Sequence, residues 1–210
     1  MTDELTNAVV DLREDDTLAI VDRLLAEGAD PVGILDDCKT AMDVIGERFA
    51  CGEAFIPELV MAGEIMQAVS AKLKPSLADA PSEKKRGVIV LGTVQGDIHD
   101  IGKDIVGTML DIAGFDVVDL GVNVPMAAFI DTAREKKAQV IAMSGLLTSA
   151  IEAMKRTVAA AGEAGLRGEV RLMIGGAPVT EQVVAYTGAD GWGKDAVAAV
   201  RLAKQWLGGE

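Results

Sequence analysis

The sequence predicts an α/β chain in two parts: a bundle of about four helices, then a doubly wound parallel sheet of five strands. Three observations predict it. Residues 1–74 carry apolar residues at helical spacing throughout. The segment PSLADAPSEKKR, residues 75–86, breaks that pattern with two prolines, small residues and a charge run, as a linker does. From Gly87 to the C-terminus, short apolar runs alternate with helical stretches, which is the pattern of a parallel sheet with helices on both faces.

Within the first part, a short helix is expected near residues 3–13. DTLAIVDRLLAEG places Leu18, Val21, Leu24 and Leu25 at helical spacing and stops at Gly28. DPVGILDDCKTAMDVIGERFACG has a proline in its first turn and Ile34, Leu35, Cys38, Met42 and Ile45 along one face. IPELVMAGEIMQAVSAKLK repeats the pattern with Leu59, Met61 or Ala62, Ile65, Met66 and Val69. Together these make a small antiparallel bundle, residues 1–74. Its apolar residues Phe49, Phe55, Ile56, Leu59, Met61 and Met66 read as core.

In the second part, residues 87–210, GVIVLGT is a buried strand and residues 103–114 a helix closed by Gly114. DVVDLG, QVIAMSG, EVRLMIGG and the short ADGW are the following strands. The helices between and after them are MAAFIDTAREKKA, SAIEAMKRTVAAAGEAG, TEQVVAYTG and KDAVAAVRLAKQWLG. This is a flavodoxin- or Rossmann-like arrangement, in which ligands bind beyond the carboxyl ends of the strands. There the sequence places GTVQGDIHDIG, SGLLTS and GGAP, all rich in Gly, Ser and Thr.

Charge narrows the partners. Of the net −13, residues 1–80 carry −11, from 17 acidic and 6 basic side chains. Such a surface repels phosphate backbones, and aromatics at 3% offer few stacking platforms, so no nucleic-acid partner is expected. Cys38 and Cys51 form neither a disulfide framework nor a zinc motif, which suits a reducing cytoplasm. MTDELTNAVV lacks the basic start and apolar core of a secretory signal, and no apolar run reaches membrane-spanning length. A cytoplasmic protein with no membrane partner is expected.

The chemistry concentrates in LGTVQGDIHDIGKDIV, which holds the only histidine, His99. A phosphate-binding P-loop is excluded: five residues separate Gly96 from Gly102, and Asp104 follows Lys103 where a hydroxyl is needed. The first turn has no G-x-G-x-x-G fingerprint, and a phosphoacceptor receiver would want an aspartate where Ser144 ends the third strand. In an extended turn residues i and i+2 point the same way, so Asp97 can reach one ring nitrogen of His99. The other nitrogen is then free to ligate a metal. One histidine is a poor site for a bare ion but a good axial ligand where a macrocycle supplies the rest. Gly102, lacking a Cβ, leaves room beside it. Taken alone, a His beside an Asp also fits a hydrogen-bonded loop residue or a helix cap.

Asp97-x-His99-x-x-Gly102, then Ser144-x-Leu146, then Gly175-Gly176, resembles the cobalamin-binding signature DxHxxG–SxL–GG. Corrinoid proteins of methyltransferase systems, methionine synthase and the carbon-skeleton mutases share it. GERFACGEAFIPELVMAGEIM is similar to the helical cap module that precedes the cobalamin module in the methyltransferase class, including methanol-, methylamine- and glycine betaine-type corrinoid proteins. The resemblance covers essentially the whole chain. It implies that His99 is the lower axial ligand to cobalt, displacing the cofactor's own base ("base-off, His-on"), while Asp97 holds its tautomer and relays a proton. Gly96, Ile98, Asp100, Ile101 and Gly102 would line the lower corrin face. Ser144, Leu146 and Thr148 would contact the displaced nucleotide tail, and Gly175, Gly176 and Ala177 would leave its slot, with Gly191 and Trp192 nearby. Some bundle side chains would cover the upper face, and the 75–86 linker would be the hinge.

The function so implied is that of a methyl carrier, a non-catalytic or co-catalytic subunit cycling between methylcobalamin and a Co(I) corrinoid. Its partners would be a substrate-specific methyltransferase, a second methyltransferase with a thiol or tetrahydrofolate-type acceptor, and a reductive activase. Alternatives are a mutase subunit, which the helical bundle speaks against, and a cofactor-free receiver-like signalling domain.

Overall fold

A computed structural model of the chain describes residues 3–77 and 85–208. The chain divides into two compact units, one up to Lys84 and the other from Lys85. Most of the expected linker, residues 78–84, lies outside the described residues.

The first unit is four helices: α1 (Asp3–Val10), α2 (Glu14–Ala26), α3 (Pro31–Ala50) and α4 (Ile56–Leu77). Asp30 caps α3 by accepting the Val32 amide at 3.2 Å, with Pro31 in the first turn where its missing N–H costs nothing. Glu58 reaches back to accept the Phe55 amide at 2.7 Å, which closes the start of α4. The core is built from Leu5, Val9, Ile20, Val21, Ile34, Cys38, Met42, Ile45, Leu59, Ile65, Met66, Val69 and Leu73. α4 runs three residues past the expected end at Lys74, through Pro75 in its last turn. Phe55, Ile56 and Met61 do not join the core: they are exposed with Val60 at the start of α4, because the helical period buries Leu59 and Ala62 instead.

The second unit is a five-stranded sheet, all parallel, in the order β2-β1-β3-β4-β5. Its strands are β1 (Val88–Thr93), β2 (Asp116–Asp119), β3 (Val140–Ser144), β4 (Arg171–Gly175) and β5 (Gly191–Gly193). The helices are α5 (Ile101–Ile112), α6 (Met126–Lys136), α7 (Ala150–Glu163), α8 (Glu181–Thr187) and α9 (Ala196–Leu207). Alternate strand residues point to opposite faces. Val90, Ile141, Met143, Leu172 and Ile174 pack with Phe129 and Ile130 of α6 and Met154 and Val158 of α7. On the other face, Leu91 lies under Gly107 of α5, and β5 packs closely on Leu202 and Ala199 of α9.

The strand order reverses between β1 and β3, because β1 leads to β2 on one side and β3 to β4 on the other. Thr93, Ser144 and Gly175 stand in register at the carboxyl edge. The loops that follow them are therefore neighbours at the switch point.

Candidate cofactor site

The β1–α5 loop turns sharply after the strand. Asp97 donates its amide to the Val94 carbonyl at 3.1 Å, and Gly96, at φ +87°, supplies the left-handed residue the turn requires. Val94 in turn donates to the Ser144 carbonyl at 3.0 Å, tying this loop to the end of β3. Thr93, fully buried, donates its hydroxyl to the His99 carbonyl at 2.9 Å.

These contacts deliver a carboxylate into the switch point. The Asp97 side chain has no exposed surface, yet both oxygens are saturated. Oδ1 accepts the His99 amide at 3.0 Å and lies 2.7 Å from His99 Nδ1. Oδ2 accepts the amides of Leu146 and Leu147 at 2.7 and 2.9 Å, from the loop after β3. Burial alone would raise the Asp97 pKa. The hydrogen bonds from Leu147, His99 and Leu146 outweigh it and hold the carboxyl below the usual carboxylate range. An ionised carboxylate only accepts, so Nδ1 of His99 is the donor and Nε2 keeps its lone pair. The imidazole is 49% exposed, which leaves Nε2 open to a ligand.

The histidine loop and the loop after β3 expose several apolar side chains. Ile98, Ile101, Leu146 and Leu147 are all exposed, an unusual concentration for side chains that gain by burial. Nothing lies within 4 Å of a Cβ placed on Gly102, so open space stands beside the start of α5. Asp100 is exposed and precedes α5, its carbonyl accepting the Asp104 amide at 2.8 Å. Among the described residues no three His, Cys, Asp or Glu side chains gather to hold a bare ion. The donor set suits a metal that brings a flat apolar macrocycle and needs one axial nitrogen.

The remaining loops pack against each other. Gly145 donates its amide to the Gly175 carbonyl at 3.1 Å. Gly176 has φ +121°, and a Cβ on it would fall 1.9 Å from the Gly145 carbonyl oxygen. The glycine at 176 is thus required by a backbone-on-backbone approach within the fold. Ser144 takes part through its carbonyl, while Thr148 and Ala177 lie exposed after β3 and β4. Gly191 is covered by Leu202 and Trp206, and Trp192 is partly buried against the α6–α8 side, so packing accounts for both.

Four further residues shape the site without having been singled out in the sequence. Thr93 and Gly145 act as above. Asn123 holds Gly96 and Asp97 from the β2–α6 loop. Lys103 is buried in α5, with Nζ bonded to Asp104 and to Asp119 of β2. Burial lowers its pKa, and the two carboxylates more than reverse that shift.

Known proteins resemble this chain over nearly its whole length. Residues 87–201 match the B12 binding domain family, and residues 1–74 match a second family model described as a B12 binding domain. The chain is 41% identical to the dimethylamine corrinoid protein of Methanosarcina barkeri over 97% of its length and 96% of that protein's. It is 42% identical to trimethylamine corrinoid protein 1 of Methanosarcina mazei, over 96% of this chain and 94% of that protein. A cobalamin-binding protein from Desulfitobacterium hafniense superposes with a TM-score of 0.83 at 38% identity, covering 96% of both chains. A chain of the methanol:cobalamin methyltransferase complex MtaBC from Methanosarcina barkeri gives 0.82 at 26% identity, covering 99% of this chain and 79% of that one. The chain belongs to the B12-binding corrinoid proteins of methyltransferase systems, and cobalamin is its cofactor.

Proposed function

We propose that this chain carries a methyl group on cobalamin bound base-off, with His99 Nε2 as the lower axial ligand, and presents it in turn to two methyltransferases. The observation that carries the reading is the Asp97–His99 pair: a fully buried carboxylate fixes Nδ1 as the donor and leaves a half-exposed Nε2 lone pair. Cobalamin supplies a cobalt centre that accepts and gives up a methyl group.

The chain's own residues orient the cofactor and fix the proton of His99 on Nδ1. Ile98, Ile101 and Leu146 would offer apolar contact beside His99, where Gly96 and Gly102 leave open space and Asp100 is exposed. Ser144 and Gly175 end β3 and β4, and Leu146, Thr148, Gly176 and Ala177 lie in the loops that follow, so these six would border the nucleotide tail beside the histidine loop. The buried Asp97 carboxylate stays ionised against Nδ1 and holds the ring in one orientation.

The methanol:cobalamin methyltransferase complex supports a substrate-specific methyltransferase as the first partner, acting in trans. The names of the dimethylamine and trimethylamine relatives favour a methylated amine as the methyl source. A second methyltransferase with a thiol or tetrahydrofolate-type acceptor and a reductive activase complete the set.

The test is to mix purified apoprotein with hydroxocobalamin, desalt it, and record the visible spectrum and bound cobalt. One cobalamin per chain without the benzimidazole-on signature, and loss of that form in His99→Ala, is the expected result. Identical spectra for the two proteins would remove His99 from the metal.

A further inference from the structure

Asn123 lies between β2 and α6, outside the three motifs that mark the site. Its side-chain Oδ1 accepts the Gly96 amide at 2.8 Å. Its own amide donates to the Asp97 carbonyl at 2.9 Å. The two bonds grip both sides of the short Gly96–Asp97 segment, the unit that aims the buried carboxylate.

The surrounding loop is built to deliver that grip. Val94 and Val124 form an isolated parallel bridge, and Val124 donates to the Thr93 carbonyl at 2.9 Å. Thr93 donates to the Gly121 carbonyl at 2.9 Å. Gly121 donates to Asp119 Oδ1 at 2.9 Å, and the other oxygen of Asp119 binds the buried Lys103. Sheet-like pairing therefore continues past the end of β2 as far as Val124, and Asn123, just before that last pair, bonds the turn instead.

Asparagine satisfies two demands at this point. Its φ is +53°, a left-handed conformation that most side chains resist and Asn tolerates. Its carbonyl also supplies the acceptor for Gly96. Glycine would meet the first demand only, and aspartate would meet both.

We infer that Asn123 is a positioning residue for histidine ligation: by holding Gly96 and Asp97 it sets the carboxylate that orients His99. This rests on the assignment of His99 as axial ligand. Three full-length proteins separate the possibilities: wild type, Asn123→Gly and Asn123→Asp. Each is titrated with hydroxocobalamin, with half-saturation and the fraction in the His-on form read from the visible spectrum, and the apoprotein is melted as a control.

Asn123→Gly is expected to raise half-saturation roughly fivefold, the equivalent of one hydrogen bond, and to lower the His-on fraction. Its apoprotein melts within a few degrees of wild type, and Asn123→Asp restores both readings. Should Asn123→Gly fail to fold, Asn123→Ser, whose hydroxyl falls short of Gly96, takes its place. A variant that melts lower but keeps the wild-type half-saturation and His-on fraction overturns the inference while leaving His99 as ligand. A wild type with no His-on form overturns both.

Discussion

Asp97→Asn changes one group and dismantles half of a four-bond cage. Each carboxylate oxygen accepts two hydrogen bonds, His99 N and Nδ1 on one and the Leu146 and Leu147 amides on the other. An asparagine accepts on one side only, and its NH₂ confronts donors on the other. If the NH₂ faces the β3–α7 loop, two amides lose their acceptor. If it faces His99, it donates to Nδ1, and the neutral imidazole moves its proton to Nε2, where the lone pair was needed. Hydrogen bonds to a charged group contribute about 1.5–3 kcal/mol each. Losing two, with partial relaxation, costs about 3 kcal/mol, or roughly 10 °C in the melting of a unit this size. The assay is calorimetric melting of the apoproteins across pH. Because the folded carboxyl is held below its ordinary pKa, its contribution is full above about pH 4 and fades as pH falls further. The gap between wild type and variant should therefore narrow on acidification. Equal melting at pH 7, or a gap that widens in acid, would refute the reasoning.

Other substitutions follow from the same geometry. Gly102→Leu meets open space and replaces a poor helix former, so the apoprotein should melt at or above the wild-type temperature. Its half-saturation for hydroxocobalamin should rise at least roughly tenfold as the side chain fills the place beside His99; undiminished binding would move the macrocycle elsewhere. Gly176→Ala drives a Cβ into the Gly145 carbonyl at a positive φ and should destabilise the α/β unit by about 2–4 kcal/mol, read by apoprotein melting. Unchanged melting would contradict the close approach of the two loops. For this reason a bulky side chain at Gly176 tests the fold before it tests the nucleotide tail.

Period and punctuation carry most of this fold. Residues 87–208 alternate so regularly that every strand and helix is legible within two or three residues, down to the three-residue β5 that GW marks. The short turn at Leu166–Gly168 leaves no comparable trace. At the site, the reach of Asp97 to His99 follows from an i, i+2 spacing and is found at 2.7 Å. The carboxylate's other partners are backbone amides 49 and 50 residues away. Any residue carries such an amide, so no sequence signal could assign them. Asn123 did offer a signal, an asparagine in GVNVP where a strand must hand over to a helix, but the loop it serves is apparent only once β1 and β2 are paired. Gly145 is similar: its need to be glycine comes from Ala150 and Met154 of α7, which only the packing brings against it.

The central claim is that the single histidine of this chain is bound to cobalt. Because His99 is the only one, growth on ¹⁵N-histidine labels that imidazole and no other. Electron paramagnetic resonance of the protein loaded with Co(II) cobalamin then reads the axial nitrogen directly. Coupling that changes from a triplet to a doublet on labelling is the result predicted. A triplet that survives the label would mean that the cofactor's own base, or another nitrogen, holds the cobalt.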